Sequence, residues 1–319
     1  MEVKILANRP LKEWQLEKIR RVAPEAQVVW PGKGQGLEGL VEDAEVFLNL
    51  IGGPGITREL FPKATQLRWI QVGAAGVDDV LFPELVESPV VVTNCRGIHA
   101  STISEHVFAM ILAFARGLFK FQRDRKLRKW DRTGVSEVSG KTIGIVGLGA
   151  IGSKIARRAK CFGMKVIGVK KHTTQAVPYV DKLVSQDELL QALPEMDYVV
   201  ISVPLTAETF RLIGERELKA MKPTAYLINI ARGKVVDEAA LIRALKEGAI
   251  AGAGLDVYEV EPLPAESELW DMENVIFTPH VAGTFSENVE RITEIFVENL
   301  KRYVAGQEMI NVVNKRLGY

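Results

Sequence analysis

The sequence predicts an α/β fold with a doubly wound parallel sheet, accompanied by a second, smaller α/β domain. Short apolar runs of strand length alternate with helical patterns along the chain, as they do in parallel sheets. One run, residues 142–146, leads directly into the glycine motif G-x-G-x-x-G at Gly147, Gly149 and Gly152. The chain has 319 residues, more than one typical domain, so two domains are expected.

The N-terminal part, residues 1–100, has the pattern of a small α/β unit. Its strand candidates, which alternate with helical or turn segments, lie at residues 3–7, 28–30, 46–50, 68–72 and 90–93. Residues 102–121 follow with apolar side chains at helical spacing, among them Ile103, Val107 and Ile111. We expect one long helix there, joining the two domains.

The central part, residues 101–284, carries the cleaner alternation. Its strand candidates lie at residues 142–146, 165–169, 198–203, 225–230, 251–257 and 275–278. With helices between them, these runs predict the doubly wound sheet. Residues 286–304 then form a long amphipathic pattern. If residues 285–319 return as a C-terminal helix to the first domain, that domain is split between both chain ends.

The glycine motif points to a dinucleotide site. Gly147 permits the tight turn, Gly149 lets backbone approach a pyrophosphate, and Gly152 lets the helix pack on its strand. The pyrophosphate would lie at the positive helix N-terminus. A glycine-rich turn in an unrelated protein is the alternative, but the strand before the motif and the helix after it favour nucleotide binding.

The end of the next strand indicates which dinucleotide binds. An NAD site places an acid about 20 residues after the motif to accept the ribose hydroxyls. Here the residues are Lys170, Lys171 and His172, which would attract a 2′-phosphate. The cluster therefore favours NADP(H), with NAD(H) as the alternative. It could also be a solvated basic turn without a ligand.

Composition excludes several other classes. The 41 basic and 40 acidic side chains nearly balance, so no net charge attracts nucleic acid or an anionic membrane. The longest apolar run, residues 107–115, is too short to span a bilayer. Cys95 and Cys161 form neither a disulfide framework nor a metal motif, so we expect no metal site and a cytoplasmic location.

Three polar residues follow strand candidates and could carry chemistry: Arg232, Glu261 and His280. Ligands of open α/β sheets bind beyond the carboxyl ends of strands. Histidine titrates near neutrality and suits a proton donor, which a neighbouring Glu261 would keep protonated and oriented. Arginine offers a planar fork for a substrate carboxylate. Alternatively, the three are a surface ion pair, a loop acid and a helix cap.

With these motifs, the chain resembles the D-isomer-specific 2-hydroxyacid dehydrogenases over nearly its whole length. The most specific stretches are GLGAIG at 147–152, VPLT at 203–206, NIARG at 229–233, LDVYEVEP at 255–262 and TPH at 278–280. The resemblance implies a Rossmann domain, a flavodoxin-like substrate domain, and Arg232, Glu261 and His280 as the catalytic residues. It also implies that Asp256 holds the nicotinamide carboxamide. Family members usually have an acid where Lys170 stands.

The resemblance and the motifs together give two sets of binding residues. The expected cofactor-binding residues are Thr102, Gly147, Gly149, Ala150, Ile151, Gly152, Lys170, Lys171, His172, Val203, Pro204, Thr209, Ile230, Ala231, Asp256, His280 and Gly283. The expected substrate-binding residues are Ile51, Ala74, Ala75, Gly76, Arg232 and His280, with the backbone N–H groups of Ala75 and Gly76 binding the substrate carboxylate.

The expected activity is NADPH-dependent reduction of a small 2-oxoacid, such as glyoxylate or hydroxypyruvate, to a D-2-hydroxyacid. The expected assembly is a homodimer formed through the nucleotide-binding domain. A phosphoglycerate dehydrogenase is an alternative, but residues 50–55 offer no cation for a distal phosphate and the chain ends soon after its last helix. The other alternative is a nucleotide-sensing corepressor like the C-terminal binding proteins, which share the fold and the three catalytic residues.

Overall fold

The computed structural model describes residues 3–50, 55–171 and 176–319. They form two compact units, Met1–Ile98 with Phe285–Tyr319 as the first and His99–Thr284 as the second. Each unit has its own parallel sheet with helices against it, so the fold is α/β as the sequence predicts.

The elements are numbered in chain order. The strands are β1 (Lys4–Ala7), β2 (Gln27–Val29), β3 (Val46–Asn49), β4 (Trp69–Val72), β5 (Val91–Thr93), β6 (Thr142–Val146), β7 (Lys165–Lys170), β8 (Lys182–Ser185), β9 (Tyr198–Ile201), β10 (Tyr226–Asn229), β11 (Gly252–Leu255) and β12 (Val275–Phe277). The helices are α1 (Glu13–Val22), α2 (Pro83–Glu87), α3 (Ala100–Ala115), α4 (Leu118–Lys126), α5 (Ala150–Cys161), α6 (Leu189–Ala192), α7 (Glu215–Ala220), α8 (Glu238–Lys246) and α9 (Asn288–Val304).

The first unit is built on a parallel sheet of order β2-β1-β3-β4-β5, the order of flavodoxin-like sheets. One face carries α1 and the C-terminal α9, whose Phe296 stacks on Trp69 of β4 with ring centroids 5.3 Å apart. Both rings are fully buried. Asn299 of α9 donates from Nδ2 to Gln71 Oε1 over 3.1 Å. Helix α9 therefore belongs to the core of this unit although residues 99–284 separate it from the sheet in sequence.

The second unit has a parallel sheet of order β12-β11-β10-β9-β6-β7-β8. Counted from β6, this is the doubly wound dinucleotide-binding order with one further strand at the edge. The direction of winding reverses between β6 and β9, which are neighbours in the sheet. Ligands bind at such a switch point, beyond the carboxyl ends of the strands.

The prediction of one helix over residues 102–121 is wrong. The structure has α3 and α4, with Gly117 between them at φ 61°. Glycine adopts this left-handed conformation at little cost, and it ends a helix although the apolar spacing continues. In the described part of the chain no single helix is long and apolar enough to cross a membrane, and only α3 and α4 together, bent by 57°, meet that test.

The sequence also missed one strand, β8, among the described residues of the second unit. It pairs with β7 at the edge of the sheet, and only Val184 of its four residues is buried. A short edge strand has few apolar residues, so the periodicity on which strand prediction depends is too weak there.

We predict that Phe296→Ala destabilises the first unit by about 3–5 kcal/mol, because it removes a fully buried ring that stacks on Trp69. Urea unfolding followed by circular dichroism measures this. The control is Lys301→Ala, an exposed position on α9, which should change the unfolding free energy by less than about 0.5 kcal/mol. Equal effects of the two changes would contradict the placement of α9 in this core.

Candidate active site

The glycine loop after β6 has the shape that a dinucleotide requires. Gly147 has φ 99°, and a Cβ there would lie 2.7 Å from the Ser202 carbonyl oxygen. A Cβ on Gly152 would lie 2.0 Å from the Gly147 oxygen, whereas one on Gly149 would meet nothing within 4 Å. Two glycines are thus required by packing, while Gly149 leaves the backbone open to approach. The residues therefore fit a pyrophosphate at the N-terminus of α5.

Other expected cofactor residues lie in the first turn of α5, in the loop after β9 and in the first turn of α3. Gly149 is the N-cap of α5, and Ala150, Ile151 and Gly152 form its first turn, where backbone N–H groups have no acceptor within the helix. Val203 Cγ1 lies 2.9 Å from the position of a Cβ on Gly147. Thr102 lies in the first turn of α3, with its hydroxyl donating to the His99 carbonyl oxygen over 3.1 Å.

The basic residues after β7 lie at the same edge of the sheet. Lys170 is the last residue of β7 and is exposed. Lys171 donates from Nζ to both carboxylate oxygens of Glu208, over 2.7 and 2.8 Å. His172 lies outside the described residues. The sequence did not predict that an acid pairs with Lys171.

Glu208 is presented by a turn in the loop after β9. The Thr209 hydroxyl donates to the Pro204 carbonyl oxygen over 2.6 Å and accepts from the Thr206 N–H over 2.8 Å. Thr209 is buried, so the turn is fixed next to the exposed Glu208 side chain.

Glu261 and His280 are in direct contact. Glu261 Oε2 lies 2.7 Å from Nδ1 of His280, and Oε1 accepts the Tyr258 N–H over 3.0 Å. Both carboxylate oxygens are therefore engaged, one by backbone and one by the imidazole. The His280 side chain is 49% exposed. Its Nε2 is consequently the ring nitrogen left for chemistry, with Nδ1 held by the carboxylate.

Backbone contacts hold His280 in an uncommon conformation, φ 54°. Its N–H donates to the Asp256 carbonyl oxygen over 2.8 Å. The Asp256 carboxylate accepts the N–H groups of Val281 and Ala282, each over 2.9 Å, and the Thr278 hydroxyl over 2.6 Å. Left-handed conformations of non-glycine residues persist where the surroundings determine them. The buried Asp256 supplies those surroundings.

His106 extends this network and was not singled out as a site residue. Its Nε2 lies 3.0 Å from the Thr278 hydroxyl oxygen. Because the Thr278 hydroxyl donates its one proton to Asp256, the oxygen accepts from His106, which assigns the proton to Nε2. No sequence pattern predicts this contact, because 172 residues separate the two partners.

Arg232 follows β10 on a loop held by Asn229. The Asn229 side chain accepts the Ala231 N–H over 3.1 Å and donates to the Arg232 carbonyl oxygen over 3.0 Å. A Cβ on Gly233 would lie 1.9 Å from the Tyr258 carbonyl carbon, so this loop packs directly on the one that leads to Glu261.

Tyr258 joins the three loops that carry the expected catalytic residues. Its hydroxyl lies 2.9 Å from the Leu255 carbonyl oxygen and 3.1 Å from that of Thr278. Burial raises the pKa of the Tyr258 hydroxyl, which keeps it protonated as a donor. Strands β10, β11 and β12 are neighbours in the sheet, so the loops that follow them meet at one edge. The remaining expected cofactor residues of this edge are the buried Ile230 and Ala231, and Gly283, which lies beside the His99 ring.

In the first unit, the loop after β4 presents two peptide N–H groups in one direction. The Ala74 carbonyl oxygen accepts the Cys95 N–H over 2.9 Å, and the Ala75 carbonyl oxygen accepts from the Asn94 side chain over 2.7 Å. In a trans peptide the next N–H points opposite to the carbonyl. The N–H groups of Ala75 and Gly76 therefore point away from Cys95 and Asn94. Ile51 lies outside the described residues.

Known proteins are similar to this chain in sequence and in fold. Residues 108–282 match the family described as D-isomer specific 2-hydroxyacid dehydrogenase, NAD binding domain. A glyoxylate reductase of Pyrococcus furiosus is 40% identical over 286 residues, 87% of this chain and 84% of that protein.

Solved structures superpose over nearly the whole chain. One is an NADPH-dependent glyoxylate/hydroxypyruvate reductase from Sinorhizobium meliloti in complex with NADP and sulfate, with a TM-score of 0.85 and 27% identity. The match covers 99% of this chain and 100% of that protein. A D-lactate dehydrogenase from Aquifex aeolicus, complexed with NAD and lactic acid, has a TM-score of 0.81 and 28% identity, with 98% and 99% covered.

We predict that Asp256→Ala loosens the segment after His280, because the N–H groups of Val281 and Ala282 lose their acceptor. Hydrogen–deuterium exchange of peptides spanning 278–284 should accelerate by roughly tenfold or more, the loss of about one such interaction. Asp271→Ala, at an exposed position of the same unit, is the control. Unchanged protection in Asp256→Ala would show that another contact holds the segment.

Proposed function

Because the chain belongs to the D-isomer specific 2-hydroxyacid dehydrogenase family, and is thus an NAD(P)-dependent oxidoreductase, we propose that it reduces small 2-oxoacids with NADPH. Glyoxylate and hydroxypyruvate are the proposed substrates and D-2-hydroxyacids the products. The observation that supports this best is the 2.7 Å contact between Glu261 and His280 at the carboxyl edge of the sheet that carries the glycine loop. This contact supports the proposal of a positioned proton donor at that edge.

In this proposal His280 is the general acid. The nicotinamide cofactor supplies a hydride to the C2 carbonyl carbon when bound. His280 donates the proton that the carbonyl oxygen then needs, from Nε2, because Glu261 holds Nδ1. Glu261 orients the ring, while the Tyr258 N–H keeps the carboxylate in place.

Substrate binding is proposed for the other polar groups. The Arg232 guanidinium has the planar donors that match a carboxylate, and the Asn229 contacts fix the backbone that bears it. In the first unit, the N–H groups of Ala75 and Gly76 are proposed carboxylate donors, supported by the direction in which their peptides point. A small 2-oxoacid has one carboxylate and one carbonyl, which these groups would fix in orientation.

NADP(H) preference is proposed on the charge of Lys170 and Lys171, with NAD(H) as the alternative. Both lysines lie where the adenosine ribose of a dinucleotide bound to such a sheet is recognised. The structurally similar proteins hold NADP in one case and NAD in another, so the fold does not decide between them.

A homodimer formed through the nucleotide-binding unit is also proposed. Large apolar side chains are exposed on α4 and the segment after it: Leu118, Phe119, Leu127, Trp130 and Val135. Trp130 is 92% exposed. Clustered exposed apolar side chains mark interaction surfaces, and a second copy of the chain is the proposed partner. We propose a cytoplasmic location, in keeping with Cys95 and Cys161 as free thiols.

The experiment that tests the function is turnover of NADPH and of NADH with a panel of oxoacids that includes glyoxylate, hydroxypyruvate, pyruvate and phosphohydroxypyruvate. We expect the highest kcat/KM for glyoxylate or hydroxypyruvate with NADPH, and a D product on chiral chromatography. A preference for phosphohydroxypyruvate would indicate a phosphoglycerate dehydrogenase. Tight nucleotide binding without turnover would indicate a corepressor.

Variants test the proposed roles of His280 and Glu261. His280→Ala should lower kcat for reduction by roughly 10²- to 10⁴-fold with little change in NADPH binding, measured by fluorescence titration. Glu261→Gln should lower kcat less, because the ring remains but its anionic partner is lost. Glu266→Gln, an exposed position of the same loop, should leave kcat unchanged. A near-native kcat for His280→Ala would exclude it as the acid.

A further inference from the structure

The acid that the end of β7 lacks is supplied from another loop. Lys171, directly after β7, holds the carboxylate of Glu208 in the loop after β9 through both oxygens. From this contact we infer that Glu208 is a specificity-determining residue for the cofactor. It neutralises Lys171, limits the affinity for a 2′-phosphate and so preserves use of the cofactor that lacks one. The inference rests on the proposed role of the β7 lysines in cofactor choice.

The ion pair connects the two loops that lie on either side of the glycine loop. Strand β6 stands between β7 and β9 in the sheet, so the loops that carry Lys171 and Glu208 flank the loop that begins at Gly147. The Gly147 N–H donates to the Val169 carbonyl oxygen over 3.0 Å, and the Ser202 hydroxyl donates to the Gly147 oxygen over 2.7 Å. All three loops are thus tied together, and the pair bridges the outer two.

Glu208 occupies this position because its backbone is fixed. The turn around Thr209 is held by the bonds to Pro204 and Thr206 and by the Phe210 N–H, which donates to the Thr206 carbonyl oxygen over 2.9 Å. The Glu208 side chain itself is 60% exposed and that of Lys171 is 50% exposed. The fixed backbone therefore holds the exposed Glu208 carboxylate next to Lys171.

An exposed ion pair is weak, so a ligand can exchange with it. A 2′-phosphate is a stronger partner for an ammonium group than a single carboxylate, and it is repelled by Glu208 when that acid is charged. A 2′-hydroxyl, in contrast, can donate to a carboxylate. Glu208 therefore opposes the phosphorylated ribose and suits the unphosphorylated one, whereas Lys170 and Lys171 do the reverse.

Removing Glu208 and removing Lys171 should change the affinity for a 2′-phosphate in opposite directions. Glu208→Gln removes the carboxylate that pairs with Lys171 and the repulsion of a phosphate, whereas Lys171→Gln removes the cation and leaves the acid. A purely structural ion pair would give two variants with the same direction of change. Changes of opposite sign in the two variants would therefore identify Glu208 as a specificity-determining residue for the cofactor.

Isothermal titration of the full chain with adenosine 2′,5′-bisphosphate and with 5′-AMP tests this without hydride transfer. For Glu208→Gln we expect roughly twofold to fivefold tighter binding of the bisphosphate at low salt, the effect of releasing one exposed ion pair, with 5′-AMP unchanged or slightly weaker. For Lys171→Gln we expect roughly tenfold weaker bisphosphate binding. Both effects should shrink as salt is raised.

Glu195→Gln is the matched control. Glu195 pairs with Lys182 over 2.5 Å, and both side chains are exposed. Lys182 is the first residue of β8, so this pair lies at the amino-terminal ends of the strands, whereas Lys171 and Glu208 lie at their carboxyl ends. The control substitution makes the same change in charge but should not alter the affinity for either nucleotide. Glu208→Gln binding the bisphosphate no more tightly than this control, or tightening both nucleotides equally, would overturn the inference.

The outcome is separable from the proposed function. If the unchanged protein binds the bisphosphate no better than 5′-AMP, the NADP(H) preference fails. Tighter bisphosphate binding by Glu208→Gln in that case would still support Glu208 as the residue that limits phosphate recognition. If oxoacid reduction is absent, the nucleotide ratios remain measurable and decide the inference by themselves.

Discussion

The carboxylate of Asp256 is the interaction on which the candidate active site depends. It is buried, directly follows β11, and accepts two backbone N–H groups and a hydroxyl from the segment after β12. A buried charge is tolerated only when it is fully hydrogen-bonded, and these bonds satisfy that condition. The Asp256 backbone adds a bond from its carbonyl oxygen to the His280 N–H, so both sides of the left-handed His280 are held by Asp256. The hydrogen bonds of Asp256 thus stabilise this part of the fold and also position His280, the proposed acid.

Tyr258 packs against the neighbouring loops of the candidate active site and holds them in place. The carbonyl group of Tyr258 leaves no room for a side chain at residue 233, the Tyr258 N–H holds Glu261, and its hydroxyl reaches the Thr278 carbonyl. One residue therefore contacts the loops that bear Arg232, Glu261 and His280. A group positioned by several rigid contacts loses little entropy when it engages a substrate, which is how a protein scaffold contributes to such a reaction.

Much of this could be predicted from local sequence. Strand β6 was predicted with its observed ends, and the glycine motif fixed the position of the loop after it, because both depend on residues close in sequence. The break at Gly117 and the edge strand β8 were missed, since one depends on a single backbone angle and the other on few apolar residues. The contact of Glu261 with His280 followed from strand adjacency, whereas the contacts of Asp256, Tyr258 and His106 required the folded chain.

Cofactor choice shows why charge at one sequence position is an incomplete guide. Lys170 and Lys171 alone indicate a site for a phosphate, because the expected acid is absent from the end of β7. Folding brings Glu208 to the same place from 37 residues further along the chain. The potential that a ribose meets is the sum over all side chains at that edge of the sheet, whichever strand they follow. In the proposed role of Glu208, an acid that is absent from one loop and supplied by the next would keep both cofactors usable, with the balance set by an exposed ion pair.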